Sequence, residues 1–191
     1  MVGRGTVQAQ KNIQAGILFL LGAIGFITVV DTAAKYMTAD LPPLELVWGY
    51  FLGIFVCLLG LAASKGGSLP RLLTTRRPLL HLGRTGLLVL SISLLFVALK
   101  YMSLADATAI SFTSPLFITL LAIPILGERV DRARWLAVIA GLVGVLVIVR
   151  PGSGLASWIS MLPLLGAVSF AAFQIVTRML ASTENTFATL F

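Results

Sequence analysis

The chain has 191 residues, of which 58% are hydrophobic and only 11% are charged, and its mean hydropathy is +1.02. An ordinary soluble domain is about 45–50% apolar and about 25% charged, so these charges are too few to cover a water-facing surface. The composition argues against a soluble globular enzyme, and it excludes a disordered chain for the same reason.

The charged residues are clustered, and six charge-free runs separate them. These runs cover residues 12–30, 46–64, 85–99, 107–127, 135–149 and 151–177. A bilayer core of about 30 Å requires roughly 17–25 helical residues. Four of the runs meet that length, and long flanking side chains extend the two shorter ones. The sequence therefore predicts an all-α, polytopic helical membrane protein. Its six spans are expected near residues 13–36, 43–63, 79–99, 105–126, 134–150 and 156–178.

The first predicted span carries a polar stripe. Thr28, Asp31, Thr32 and Lys35 follow one another at positions i, i+3, i+4 and i+7, which lie on one face of a helix. Polar side chains inside a bilayer are costly and are functional candidates by default, so Thr28, Asp31 and Thr32 are candidate substrate-binding residues. The alternative is structural, because an acid four residues before a lysine favours an ion pair within the helix.

The fourth predicted span carries a second stripe, in which hydroxyl residues surround a proline. Thr108, Ser111, Pro115 and Thr119 share one side, and Ser114 is adjacent. Pro115 lacks a backbone donor and is expected to kink the span and expose a carbonyl to a cavity. Ser111, Ser114, Pro115 and Thr119 are candidate substrate contacts. Buried hydroxyls also bond carbonyls of their own helix without any functional role, and that alternative stays open.

The sixth predicted span repeats the same spacing with Phe170, Phe173, Gln174 and Thr177. Three half-polar stripes would be poorly placed against lipid and can face one another across a cavity. Phe173, Gln174 and Thr177 are therefore added to the candidate substrate-binding set.

Other patterns have simpler structural interpretations. Asp106 begins the fourth span, where a carboxylate complements a helix N-terminus. The fifth span has a face of small residues that favours close helix packing, formed by Ala137, Ala140, Gly141 and Gly144. Aromatic residues near the span ends are interpreted as anchors at the membrane–water interface; they are Tyr36, Trp48, Tyr50, Tyr101 and Trp158.

The 14 basic residues are divided unequally between the two sides that alternate spans create. Eleven fall on one side, namely Arg4, Lys11, Lys65, Arg71, Arg76, Arg77, Arg84, Arg129, Arg132, Arg134 and Arg178. Three fall on the other, namely Lys35, Lys100 and Arg150. Cytoplasmic loops carry the excess of basic residues, so the N-terminus is predicted to be cytoplasmic.

A possible internal repeat begins near residue 160. The segment 21–26, LGAIGF, matches 165–170, LGAVSF, and a one-residue slip then aligns Asp31 with Gln174 and Lys35 with Arg178. A period of five spans is odd, so the second copy would enter the membrane from the opposite side, as in many secondary transporters. Chance similarity between two apolar helices is the alternative.

The repeat suggests a division into a cytoplasmic tail at 1–12, a first five-helix repeat at 13–150 and the beginning of an inverted second repeat at 151–191. The chain is expected to be a truncated part of a ten-span protein, with six spans present.

Several motifs together resemble a known family. They are the segments 98–107, ALKYMSLADA, then Ser114-Pro115-Leu116, Leu126-Gly127-Glu128-Arg129, Trp135 and 141–145, GLVGV. In this order they resemble the EamA-type domain of the drug/metabolite transporter superfamily. The resemblance implies ten spans in two inverted halves around a central cavity and transport of small metabolites by alternating access. Many relatives have an arginine early in the second span, where this chain has 48–51, WGYF, so an anion-binding role there does not carry over.

The sequence thus predicts a secondary transporter of small metabolites, working in export or exchange, in the inner membrane of the cell. The expected partners are a small-molecule substrate, the lipid bilayer and a second copy in a possible homodimer, with no nucleic acid. No cofactor or metal site is expected. An enzyme is not expected either, because such chemistry needs a nucleophile with a base or a metal cluster, and the chain has a single cysteine, Cys57, and a single histidine, His81. The alternative is a truncated, non-transporting membrane fragment or helper subunit.

Overall fold

The computed structural model describes residues 3–64, 77–128, 131–149 and 158–181, and every regular element in them is helical. The helices are α1 (Gly3–Met37), α2 (Pro43–Ser64), α3 (Pro78–Tyr101), α4 (Leu104–Ser111), α5 (Ser114–Leu126), α6 (Arg132–Val149) and α7 (Met161–Ala181). A short 3₁₀ turn, Trp158–Ser160, leads into α7.

Five helical segments of the described chain are long and apolar enough to cross a bilayer. They are Gly16–Met37, Pro43–Gly60, Pro78–Tyr101, Leu104–Leu126, which combines α4 and α5, and Trp158–Ala181. The protein is therefore a polytopic helical membrane protein, as the sequence predicts. The fifth predicted span corresponds to α6, whose described apolar segment, Trp135–Gly144, is shorter than the others.

The helix ends follow local sequence rules. Pro43 and Pro78 are the first residues of α2 and α3, where the missing N–H of proline costs nothing. Ser103 is the N-cap of α4: its hydroxyl accepts a bond from the N–H of Asp106 at 3.1 Å and donates one to the Asp106 carboxylate. The structural interpretation of Asp106 is thus confirmed. At the other end of the chain, α1 begins at Gly3, ten residues before the predicted span.

Helix α7 packs mainly on α3 and α5. The closest approach is at Gly166, where an added Cβ would lie 3.2 Å from the carbonyl oxygen of Ser91. The Ser91 hydroxyl donates to the Gly166 carbonyl at 2.9 Å. In a bilayer, small residues allow such close approach and polar groups add interhelical hydrogen bonds, so this contact holds the two helices together.

The small-residue face predicted in α6 does not make a contact of this kind. A Cβ added at Gly141 or Gly144 would meet nothing within 4 Å, and Ala137 and Ala140 are exposed. The prediction of close packing there is wrong for the described residues, because no atom of another helix comes near these two glycines.

The hydrophobic core lies at one end of the bundle, where α1, α2 and α3 meet the start of α4. The most deeply buried residues of this core include Phe96, Ala98, Leu99 and Ala107. By contrast, most of the apolar residues of α1 between Ile17 and Val29 are exposed. Apolar side chains on the outside of a helix suit lipid, which solvates them as well as a protein core does.

Four of the five predicted interfacial aromatic residues are exposed, namely Tyr36, Trp48, Tyr101 and Trp158. Tyr50 differs, because its ring packs against the core, with centroids 6.0 Å from Phe96 and 5.4 Å from Phe51. Many of the basic residues used for the orientation, and the predicted second repeat beyond residue 181, lie outside the described residues.

Candidate functional site

The two ends of the bundle are defined by their interhelical contacts. Helices α1 and α3 both end at one side, here named the Lys35 end. Helix α3 begins at the other side, where α5 and α7 end; this is named the Arg178 end. There, Nη1 of Arg178 lies 3.6 Å from Oε1 of Glu128, just after α5.

At the Lys35 end, the ammonium of Lys35 binds the C-terminus of α3. Its Nζ donates to the carbonyls of Leu99 at 2.6 Å and Met102 at 2.9 Å. The last carbonyls of a helix lack partners within it and carry partial negative charge, so a cation is favoured there. The ion pair considered for Asp31 and Lys35 is therefore not the contact that Lys35 makes in the described structure.

Asp31 lies one turn before Lys35 and is half-buried. It lies on the same helix as Ala34, a residue of the hydrophobic core that Tyr50 of α2 and Phe96 of α3 share. The predicted candidate Asp31 therefore lies near the end of α1 where the core is formed.

The fourth span is interrupted at Phe112 and Thr113, between α4 and α5. Pro115 lies in the first turn of α5, and proline disfavours a continuous helix through the residues before it. The predicted kink thus takes the form of two separate helices. The hydroxyl of Ser114 donates to the carbonyl of Ser111 across the interruption, so this carbonyl has a partner.

A cavity of about 450 Å³ lies beside this interruption, between α5, α6 and the end of α7. Predicted candidates Pro115 and Thr119 line it, and so does Thr113, which the sequence analysis did not select. Its remaining wall consists of Phe112, Leu116, Ile118, Ala137, Val138, Gly141, Leu142 and Arg178. The cavity is mostly apolar with a few polar groups, which is typical of small-molecule sites.

Most hydroxyls of the predicted stripes bond carbonyls of their own helix. The pairs are Thr28 to Ile24, Thr32 to Thr28, Ser111 to Ala107, Thr119 to Pro115 and Thr177 to Phe173, at 2.7–2.9 Å. Such bonds satisfy the hydroxyl proton but leave the oxygen lone pairs able to accept. Gln174 is half-buried, and its amide bonds no other described residue.

The structure brings the helices that carry the fourth-span and sixth-span stripes together, because α5 packs against α7. Thr119 and Ser114 of α5 are buried, while Pro115 is exposed and lines the cavity. The first-span stripe lies elsewhere: α1 packs mainly on α3 and α4, and Thr28 is exposed. The three stripes therefore do not surround one cavity within the described residues.

The sequence analysis counted Arg84 toward the cytoplasmic side and included it in the third predicted span, 79–99; it lies in the second turn of α3. Its Nε is fully buried, and its guanidinium carbon is 5.2 Å from the ring centroid of Phe173 in α7. The Phe170 ring lies 5.7 Å from that of Phe173. The sequence did not single out Arg84 as a candidate, because its contact with Phe173 joins two helices that are far apart in the chain.

Comparison with known proteins decides the family. The model of the EamA-like transporter family matches residues 14–150, which is more than half of the chain. The chain belongs to the EamA-like transporter family. The resemblance inferred from the motifs around 98–145 is thereby confirmed.

Curated relatives of this EamA-like chain are named as transporters. A riboflavin transporter of Rhizobium johnstonii is 30% identical over 94% of the chain and 59% of its own length. An S-adenosylmethionine uptake transporter of Rickettsia prowazekii is 27% identical over 96% of the chain and 61% of its own length. A pseudopaline exporter, CntI, of Pseudomonas aeruginosa is 30% identical over 94% of the chain and 62% of its own length.

The EamA-like chain thus spans about three fifths of the length of these relatives. No solved structure matches it. The family and the names of these relatives describe transporters and not enzymes, in agreement with the sequence prediction.

Proposed function

We propose that the protein is a secondary transporter that carries small metabolites across the inner membrane by alternating access. Membership of the EamA-like family and the transporter names of its relatives support this function. The observation that carries it is the interrupted fourth span beside the 450 Å³ cavity. Irregular backbone is tolerated at membrane depth where it is buried in protein or lines a cavity, which is how many transporters form a substrate site.

In this proposal the substrate contacts Thr113, Pro115 and Thr119 of the fourth span. The Thr119 hydroxyl gives its proton to the Pro115 carbonyl and can accept from a substrate donor. Ser111 and Ser114, at the interruption, and Thr177 and Gln174, on the facing helix α7, belong to the same proposed path.

Alternating access requires that the two ends of the bundle open in turn. We assign the closing contacts to Lys35 with the end of α3, and to Arg178 with Glu128 after α5. The repeat alignment pairs Lys35 with Arg178, so inverted halves would place equivalent cations at opposite ends. Asp31, with Thr28 and Thr32, lies on the helix that would move with Lys35.

The test is solute flux in cells that express the complete gene. Riboflavin, S-adenosylmethionine and pseudopaline are chosen because relatives are named for them, and each is measured in uptake and in export. Thr119→Val removes the cavity hydroxyl with little change of volume and should lower flux about tenfold or more if it binds substrate. Thr85→Val, at an exposed site on α3, is the matched control.

Two further variants examine the other stripes. Asp31→Asn and Gln174→Ala should each lower flux at normal membrane levels if the first-span and sixth-span stripes take part. Unchanged flux in both would remove these residues from the mechanism. Native cells that move none of the three solutes beyond cells without the gene would contradict the proposal for these substrate classes.

A further inference from the structure

Arg178 lines the cavity beside the interrupted fourth span, and no other described residue of the cavity wall is charged. The wall is otherwise apolar, apart from the threonines Thr113 and Thr119. A cation in an apolar cleft attracts anions strongly, because little water screens its charge. The charge of the cavity wall therefore favours an anionic ligand.

The ion pair between Arg178 and Glu128 does not enclose the guanidinium. Nη1 of Arg178 lies 3.6 Å from Oε1 of Glu128, whereas a charge-assisted hydrogen bond is about 2.7–2.9 Å long. Of the Arg178 side chain, 44% is exposed, and of the Glu128 side chain, 37%. Exposed ion pairs of this kind contribute little to stability, so another oxyanion can take the place of the carboxylate.

The polar groups of the cavity follow one another along α5. Thr113 precedes the helix, Thr119 lies in its middle, and Arg178 contacts the residue that follows its C-cap. Apolar side chains complete the wall between them, including Leu116 of α5 and Leu142 of α6. This order fits an elongated molecule with a largely apolar body, a hydrogen-bonding group near Thr119 and an anionic group at Arg178.

We propose that Arg178 binds the anionic group of the transported metabolite, in the place that Glu128 takes in this structure. Resting on the proposed transport function, this assignment names its substrate class: metabolites with a carboxylate, sulfonate or phosphate on a largely apolar body. The substrate anion and Glu128 compete for one guanidinium, so substrate binding breaks the contact that closes the Arg178 end.

The test measures the charge preference of the cavity with two thiol reagents. They are the anionic 2-sulfonatoethyl methanethiosulfonate and the cationic 2-(trimethylammonio)ethyl methanethiosulfonate. The protein expressed from its complete gene, in a background without Cys57 or other cysteines, carries Ala137→Cys in the cavity wall and is placed in phosphatidylcholine nanodiscs. Ala39→Cys, exposed at the Lys35 end, is the control. The ratio of the two reaction rates cancels changes in the thiolate fraction of the cysteine.

We expect the anionic-to-cationic rate ratio at Ala137→Cys to be at least about fivefold that at Ala39→Cys, since a charged apolar cleft concentrates ions of opposite sign. Adding Arg178→Gln should bring the ratio close to that of the control, and Arg178→Lys should retain part of the preference. Equal ratios at the two cysteines, no reaction of Ala137→Cys with either reagent, or a preference that persists in Arg178→Gln would overturn the inference.

Glu128→Gln separates competition from a purely structural ion pair. It should raise the ratio at Ala137→Cys by a further factor of about two, because the carboxylate no longer repels the anionic reagent. A structural role would make Glu128→Gln and Arg178→Gln act in the same direction, and that result would overturn the inference. Glu45→Gln and Lys100→Gln, exposed at the Lys35 end, are the charge-matched controls and should leave the ratio unchanged.

A lipid headgroup offers the same oxyanion chemistry as a metabolite. Anionic phosphatidylglycerol added to the nanodiscs should lower the ratio at both cysteines through its surface charge and leave the excess at Ala137→Cys intact. Loss of that excess would assign Arg178 to lipid and overturn the substrate claim. A protein that moves solutes in cells but shows no anion preference in the cavity would overturn this inference alone. Absence of flux in every cellular assay would instead contradict the proposed function.

Discussion

Lys35 shows how a single side chain acts across the bundle. Its ammonium holds two carbonyls at the end of α3, 64 and 67 residues further along the chain. Sequence spacing pointed to Asp31 because the two residues are four apart. Every residue has a backbone carbonyl, so no residue type in the sequence could identify the partners of Lys35.

Replacing Lys35 should therefore weaken the Lys35 end. In Lys35→Met the last carbonyls of α3 lose a charged donor, which should lower the stability by about 1–3 kcal/mol. The measurement is the melting temperature of the purified protein. Lys100→Met, at an exposed position of the same helix end, should change it little. Equal melting temperatures for both variants would show that the Lys35 contact contributes nothing.

Arg84 illustrates a second limit at this scale. The charge pattern placed it near the cytoplasmic end of the third predicted span, and the structure places it in the second turn of α3. A count of charges does not show what each side chain contacts. What distinguishes Arg84 is its contact with Phe173, which lies 89 positions later in the sequence.

At the scale of the helices, proline chemistry was predictable. Pro115 indicated an irregularity in the fourth span, and Pro43 and Pro78 occupy the first positions of α2 and α3, where proline is favoured. The exact form was not predictable, because one proline is compatible with a kinked helix or with two helices. The hydrogen bond from Ser114 to Ser111 belongs to the second form.

Pro115→Ala should restore a backbone donor and favour a continuous fourth span. We expect flux to fall several-fold while protein levels and melting temperature stay equal or rise, because the interruption serves the cavity and not the packing. Pro124→Ala, in the last part of α5, is the matched control and should retain flux. Normal flux in Pro115→Ala would show that transport does not need the interruption.

Gly166 is the close-approach residue of α7, and the sequence offered no way to tell it from other glycines. Gly22 occupies the aligned position in the first span, yet a Cβ there would meet nothing within 4 Å. Small residues favour packing only where another helix is present, and the sequence does not state which helix that is.

The contrast gives a matched test. Gly166→Val should push α7 away from the Ser91 carbonyl and lower stability by about 1–3 kcal/mol, as overpacking does. Gly22→Val should stay within about 0.5 kcal/mol, the range of most surface substitutions. Chemical or thermal unfolding in detergent measures both. A destabilised Gly22→Val with an unaffected Gly166→Val would contradict the described packing.

At the scale of the whole molecule, composition and charge-free runs were sufficient for the class of protein and for most span positions. They were not sufficient to predict which helices pack against each other, because apolar residues that face lipid and those that face another helix have the same composition. The predicted cytoplasmic N-terminus and the inverted repeat both depend on the parity of the membrane crossings, that is, on whether an odd or an even number of spans separates two loops.

Paired cysteines test this parity. Ala39, after the first span, and Ala133, at the start of α6, are both exposed and are separated by three predicted crossings. In a background that replaces the exposed Cys57, we expect an impermeant thiol reagent to label Ala39→Cys in intact cells and Ala133→Cys only after permeabilisation. Equal labelling of both would contradict the predicted arrangement in the membrane.

The contact at Gly166 has a mechanical consequence. Helix α7 extends five residues to one side of it and fifteen to the other, or about 8 Å and about 22 Å at 1.5 Å per residue. When a rigid helix tilts about an off-centre contact, its two ends move by unequal distances. A small tilt about this pivot would therefore displace the tip near Arg178 nearly three times as far as the opposite tip.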